Sequence, residues 1–180
     1  MDALEEVPVY SPFIRRLKKY FAKIENLQDA TLDLAASYAW SFHGVGGSNA
    51  SPLYASVYLS KNASTHQETE RQLGNIIRAQ GLSSESIDNE AYDHLSVILE
   101  FVAWLDEKEG SVQQRSFTQK TRIEIIETYL LTWLPTFVSR CKRGDMPGFY
   151  SGLASAVLTF AEADLDQSRS TNSFKKGASI

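Results

Sequence analysis

The 180-residue chain carries 18 basic and 22 acidic residues, a formal net charge of −4 and a pI of about 5.4. Its 43% hydrophobic and 22% charged content is that of a folded globule, and the negative balance disfavours nucleic acid or an anionic membrane as partner while favouring basic ones. One cysteine, Cys141, excludes an intrachain disulfide framework and a cysteine-built zinc site; with no apolar run long enough to span a bilayer and no secretory h-region at the acidic start, the expected compartment is the cytoplasm.

Only ten glycines and five prolines punctuate the chain, which favours helices over a many-turned β-fold. Ser11-Pro12 is a helix entry, serine as N-cap and proline at the first helical position, followed by Phe13, Leu17, Tyr20, Phe21 and Ile24 at helical spacing. Asp29 is placed to cap a second helix carrying Leu32, Ala35, Ala36, Ala39 and Trp40 on one side. That helix runs out in a glycine-containing loop from Phe42 to Pro52. The run LYASVYL alternates like a strand but has no strand to pair with, so it reads as a short helix or an extended segment. A helix from about His66 to Gln80 is expected to bury Leu73, Ile76 and Ile77 and to stop at Gly81.

After the polar connection Ser83 to Asn89, the stretch Asn89-Glu90-Ala91-Tyr92-Asp93-His94-Leu95 opens a helix expected from about Asp93 to Glu109, stopped by Gly110. Its apolar residues Leu95, Ile98, Leu99, Phe101, Val102, Trp104 and Leu105 cover most of the circumference, which makes it central. The longest helical pattern runs from Phe117 to Arg143, with Ile126, Tyr129, Leu130, Trp133, Leu134, Phe137 and Cys141 on one stripe and a kink expected at Pro135. Arg140-Cys141-Lys142-Arg143 falls at its end, where cations complement the helix dipole. Gly144 ends it, and Pro147 reads as the first-turn residue of a last helix carrying Phe149, Tyr150, Leu153, Val157, Leu158 and Phe160. The expected architecture is an all-α bundle of about six or seven helices, one domain over residues 1–165 with a polar, flexible tail over 166–180.

Little in these residues supports enzymology. Asp93-His94 is open to three readings: an N-cap, a recognition site, or a catalytic pair in a small hydrolase using His94. Adjacent residues at a helix start point in different directions, which favours the cap. The glycine loop has Asn49 where a dinucleotide fingerprint needs its third glycine, and no Gly-Lys-Ser/Thr follows. His43, His66 and His94 lie far apart, in no ligand spacing, so no metal is expected. Cys141 falls on an apolar stripe, which argues for burial rather than reactivity. A helical scaffold or oligomerisation module without peptide recognition is the other alternative that the residues leave open.

Three blocks resemble the TorD/DmsD family of redox-enzyme maturation chaperones, relatives of the NarJ type. The first runs from Leu32-Asp33-Leu34-Ala35-Ala36-Ser37-Tyr38 through Phe42 to Ser51-Pro52-Leu53-Tyr54-Ala55-Ser56-Val57-Tyr58-Leu59. The second is Asn89 to Leu95, and the third is Trp133-Leu134-Pro135-Thr136-Phe137-Val138 with Gly148-Phe149-Tyr150. The sequence departs from the family's pattern at Ala91, where proline is usual, and at Ser37, where several members carry an acid.

The resemblance implies an all-helical cytoplasmic chaperone without enzymatic activity. It implies binding to the twin-arginine leader peptide, the precursor, or both, of a molybdenum-cofactor reductase of the trimethylamine N-oxide or dimethyl sulfoxide type. It implies no cofactor beyond the weak GTP affinity attached to some members, and a monomer or a domain-swapped dimer hinged at a connection such as Ser83 to Tyr92. A leader with paired arginines and an apolar stretch needs carboxylates beside aromatic faces. The expected peptide-binding residues are therefore Glu90, Tyr92, Asp93, His94, Tyr54, Tyr58 and Trp40, with Glu100 as a further acceptor.

Overall fold

A computed structural model describes residues 11–59, 63–83, 90–108, 110–145 and 148–177. Among these the chain forms eight α-helices: α1 Ser11–Phe21, α2 Leu27–Phe42, α3 Ser56–Leu59, α4 Ala63–Ala79, α5 Leu95–Glu107, α6 Val112–Glu124, α7 Leu134–Gly144 and α8 Phe149–Gly177. A 3-10 turn, Gly47–Asn49, and a π-helical turn, Ile125–Leu130, complete the regular structure. The all-α class agrees with the sequence pattern; the count exceeds the expected one through the short α3 and the division of the long segment before Gly144. None of the described helices is long and apolar enough to cross a membrane. The chain's contacts gather into two compact units, one of the residues up to Pro52 with Leu134–Ala163, the other of Leu53–Trp133 with the residues from Asp164.

In the first unit α2 is capped not by Asp29 but by Asn26, whose side chain accepts the Gln28 N–H at 2.9 Å. Asp29 sits in the first turn, where its charge complements the helix dipole. The buried face of α2 is Ala30, Ser37 and Ser41, whereas Leu32 is 64% and Trp40 42% exposed, so the expected apolar stripe faces outward. Buried polarity holds the inward face. Ser37 Oγ donates to Asp145 Oδ1 at 3.0 Å, and Asp145 Oδ2 accepts the Ser151 N–H at 2.7 Å. One buried carboxylate thereby fastens α2 and satisfies a first-turn donor of α8.

α7 buries Leu134, Phe137, Val138 and Cys141, with Phe137 stacked on Phe42 at 6.2 Å, and carries Lys142 and Arg143 in its last turn. In the first-unit part of α8, Ala154, Ala156 and Ala161 are buried, while Leu153 and Phe160 of the expected apolar set are exposed and Phe149, Tyr150, Val157 and Leu158 are half-buried. A Cβ at Gly152 would lie 3.2 Å from the Phe13 ring, so α1 and α8 approach closely here and a larger side chain would have to shift that ring. Pro147, expected in the first turn of this helix, lies outside the described residues.

In the second unit α4 buries Leu73 and Ile77 and ends before Gly81, whose φ of 83° supplies the left-handed turn. α5 is the central helix anticipated from its composition, with Leu95, Val97, Ile98, Phe101, Val102 and Leu105 buried. The long segment before Gly144 is broken rather than kinked. The ladder widens into the π turn, where Leu131 N–H donates to Ile126 O at 2.9 Å, and a fresh helix starts at Leu134. Pro135 thus sits in a first turn, where its missing N–H leaves no interior bond unmade.

The tail expected from residue 166 gives way to helix: α8 continues to Gly177. Ser168 Oγ accepts from Arg122 Nη1 at 3.0 Å, and Arg169 pairs with Glu127. Arg122 also meets the buried Asp164 at 2.6 Å, so the helix stays on the unit through partners that its own local composition does not reveal. The Ser84 to Asn89 part of the expected hinge lies outside the described residues.

Candidate functional site

Six of the seven residues singled out above fall in the second unit, on two segments that meet. Leu95 N–H donates to Leu53 O at 2.8 Å and Ala55 N–H to Asp93 O at 2.9 Å, which sets Tyr54 opposite His94 as an isolated antiparallel bridge. The flanking bonds make this a non-hydrogen-bonded pair, the register in which opposed side chains come closest. The two rings accordingly lie 5.0 Å apart, edge to face. Tyr54 Oη donates to the exposed Glu90 at 3.4 Å, so tyrosine, carboxylate and imidazole form one surface cluster.

Asp93 is not the N-cap of α5. That position belongs to His94, whose Nδ1 accepts the Ser96 N–H at 3.4 Å and lies 2.7 Å from Ser96 Oγ. A backbone N–H can only donate, so Nδ1 is the acceptor in this cap. Asp93 turns inward, 2% exposed, and its Oδ2 accepts the Ser56 N–H at 3.0 Å, satisfying the first turn of α3. The carboxylate therefore clasps the two segments together rather than facing solvent.

Tyr92 is anchored on α4. A Cβ at Gly74 would lie 2.7 Å from its ring, and the Arg78 guanidinium stands over that ring at 5.1 Å. Arg78 is steadied by Asn75, whose Oδ1 accepts from Nη2 at 2.9 Å. Tyr58 stacks on the buried Trp133 at 5.1 Å, and Trp133 Nε1 donates to Tyr129 O, so this tyrosine is committed to packing. Glu100 is exposed on α5.

Trp40 belongs to the first unit, where it lines a cleft of about 660 Å³ with Tyr20, Asp33, Ser37 and Arg143. Gly74, Asn75 and Arg78 were missed by sequence reasoning. Their i, i+1, i+4 spacing is ordinary for an exposed helix, and nothing in it announces a partner 14 residues beyond Arg78.

Ser96 and His94 are within hydrogen-bond distance, but they are cap and first-turn neighbours, and the carboxylate nearby is engaged with Tyr54 rather than orienting the imidazole. Among the described residues no group of three or more His, Cys, Asp or Glu side chains could hold a metal ion. The fold and the cluster define an all-helical protein in which a carboxylate, aromatic edges and an imidazole gather at one surface.

Comparison with known proteins places it. The family described as nitrate reductase delta subunit matches residues 10–139, and the chain belongs to that family, the NarJ/TorD group of redox-enzyme maturation chaperones, which are not enzymes. The chaperone protein TorD of Vibrio cholerae serotype O1 is 33% identical over 154 residues, covering 84% of this chain and 69% of that protein. TorD of Vibrio vulnificus is 28% identical over 169 residues, covering 92% and 78%, and TorD of Photobacterium profundum 26% over 167 residues, covering 91% and 77%. No solved structure matches the chain.

Proposed function

We propose that this chaperone acts in the cytoplasm and binds the twin-arginine leader peptide of a molybdenum-cofactor reductase of the trimethylamine N-oxide or dimethyl sulfoxide type. The observation that carries the reading is the Tyr54–Glu90–His94 cluster: an exposed carboxylate held by a tyrosine hydroxyl beside an edge-to-face aromatic pair. Glu90 offers oxygens to a guanidinium, while Tyr54 and His94 offer faces to an apolar or cationic neighbour. The negative net charge raises the encounter rate with a basic leader. Delaying export until the cofactor is inserted follows if the same surface is covered by the leader. Asp93 enters this reading as the clasp that keeps the two segments in register, and nucleotide plays no part in it.

The test is calorimetry of the full chain with a synthetic leader and with a leader whose paired arginines are lysines. A planar fork binds a carboxylate through two bonds and an ammonium through a point contact, so the lysine leader is expected to bind about tenfold more weakly. Glu90→Gln should narrow that difference. Equal binding of both leaders, or none of either, overturns the proposal.

A further inference from the structure

The face of Tyr92 that an incoming arginine would use is already covered by one from the chain itself. Three residues of α4 build that seat. Gly74 has no side chain, which lets the Tyr92 ring approach the helix, since a Cβ there would meet ring carbons at 2.7 and 3.0 Å. Arg78, one turn further, lays its guanidinium over the same ring with its carbon 5.1 Å from the centroid. Asn75 accepts from Arg78 Nη2 at 2.9 Å and sets the plane of the group. Tyr92 precedes Asp93 and His94 directly, so the covered ring belongs to the segment that carries the Tyr54–Glu90–His94 cluster.

From this juxtaposition we infer that Arg78 is an internal stand-in for a ligand guanidinium: it occupies the cation–π face of Tyr92 in the free chaperone and is displaced when an arginine-bearing peptide binds. The inference rests on the leader-peptide reading and adds regulation to the same site. Its physical basis is competition. A cation over an aromatic ring at an exposed position is held weakly, so an intramolecular arginine fills the face without sealing it. A single arginine offered by a chance basic segment gains nothing by exchange, because one guanidinium replaces another. A leader with two adjacent arginines can place one on Glu90 and use the other to displace Arg78. The stand-in thus offsets the gain of any peptide arginine that takes the Tyr92 face and also repels cationic peptides at long range.

The experiment compares the full-length wild type with Arg78→Gln and Arg78→Lys, using synthetic leaders with two, one and no arginines. Arg78→Gln keeps helix propensity and removes the cation; Arg78→Lys keeps the charge but not the planar fork. The inference expects Arg78→Gln to bind the two-arginine leader about two- to fivefold more tightly than the wild type, because its second arginine meets an open Tyr92 face, with the one-arginine leader, which Glu90 already serves, changed less and Arg78→Lys intermediate. In nitrogen-15 NMR the Arg78 Nε–H signal should be displaced by the Tyr92 ring current in the free wild type, and should lose that displacement as the two-arginine leader is added. Leader binding by the wild type that Arg78→Gln leaves unchanged or weakens overturns the inference while the peptide-receptor reading stands, as does an undisplaced Arg78 signal. If no leader binds wild type or variant, both fall together.

Discussion

The carboxylate of Asp93 accepts the backbone N–H of Ser56 at 3.0 Å, joining two segments 37 residues apart. With the backbone bonds Leu95 to Leu53 and Ala55 to Asp93, it closes the frame in which Tyr54 and His94 face one another. A carboxylate that is 2% exposed and hydrogen-bonded to main chain is a structural element first.

Replacing Asp93 by alanine removes this acceptor and leaves a first-turn donor of α3 buried without its partner. The expected cost is ~1–3 kcal/mol in urea unfolding, together with loss of the Tyr54–His94 ring-current shifts in proton NMR. Asp93→Asn keeps an oxygen for the Ser56 N–H and should lose roughly half as much. An alanine variant as stable as the wild type would show that the clasp contributes nothing.

Gly74→Ala sets two effects against each other. Alanine favours a helix interior by about 1 kcal/mol over glycine, but its Cβ would meet the Tyr92 ring at 2.7 Å. Overpacking of that kind costs ~1–3 kcal/mol, so the variant is expected to melt at lower temperature than the wild type. In a Tyr92→Ala background the same change should be stabilising, because only the helix propensity remains. Differential scanning calorimetry of the four proteins in the cycle reads the sign directly.

Arg122 joins Asp164 at 2.6 Å and Ser168 at 3.0 Å, yet Arg122 Nε and Asp164 Oδ2 have no hydrogen-bond partner. Removing one member of such a buried pair strands the other, so Arg122→Met should cost ~3–5 kcal/mol, whereas Arg122→Met with Asp164→Leu should recover most of it. Burial raises the Asp164 carboxyl above its ordinary value; Arg122 opposes this and Asp106 adds to it. A folded pKa above the unfolded one means a contribution fully present below the unfolded value and lost as pH rises through the folded value. Asp164→Asn is therefore expected to flatten the stability curve above about pH 4 rather than to abolish acid sensitivity. Chemical denaturation across pH measures the slope.

Burial pushes the Cys141 thiol up to about 11, with Asp145 acting in the same direction and Ser51 opposing. The thiolate is the reactive form, so alkylation by iodoacetamide at pH 8 should be slow in the folded chain and fast after unfolding in urea. Since the folded value lies above the unfolded one, this group's contribution is fully present below about pH 9 and disappears as pH climbs toward the folded value. Fast labelling of the native protein by mass spectrometry would contradict the buried placement on α7.

The sequence by itself determined the all-α class, most helices and several of their ends, the central place of α5 and the buried stripe of α7. These follow from 3.6-residue periodicity and from local stops such as Gly81, which act within one or two turns. The membership in a chaperone family was legible too, in short blocks whose order survives divergence. What only the tertiary structure decided is where polar groups find partners and which face of a weakly patterned helix turns inward. Asp93 left its own helix to cap α3, and Ser37, Ser41 and the alanines of α8 went inside while Leu32, Trp40, Leu153 and Phe160 stayed out. The physical reason is common to all of them: close approach between helices selects small residues and buried acceptors, and the partner that makes the selection lies far away in the chain. The same holds at the candidate site, where Tyr54, Glu90 and His94 were legible as chemistry, but the arginine covering Tyr92 could be seen only once α4 was set beside it.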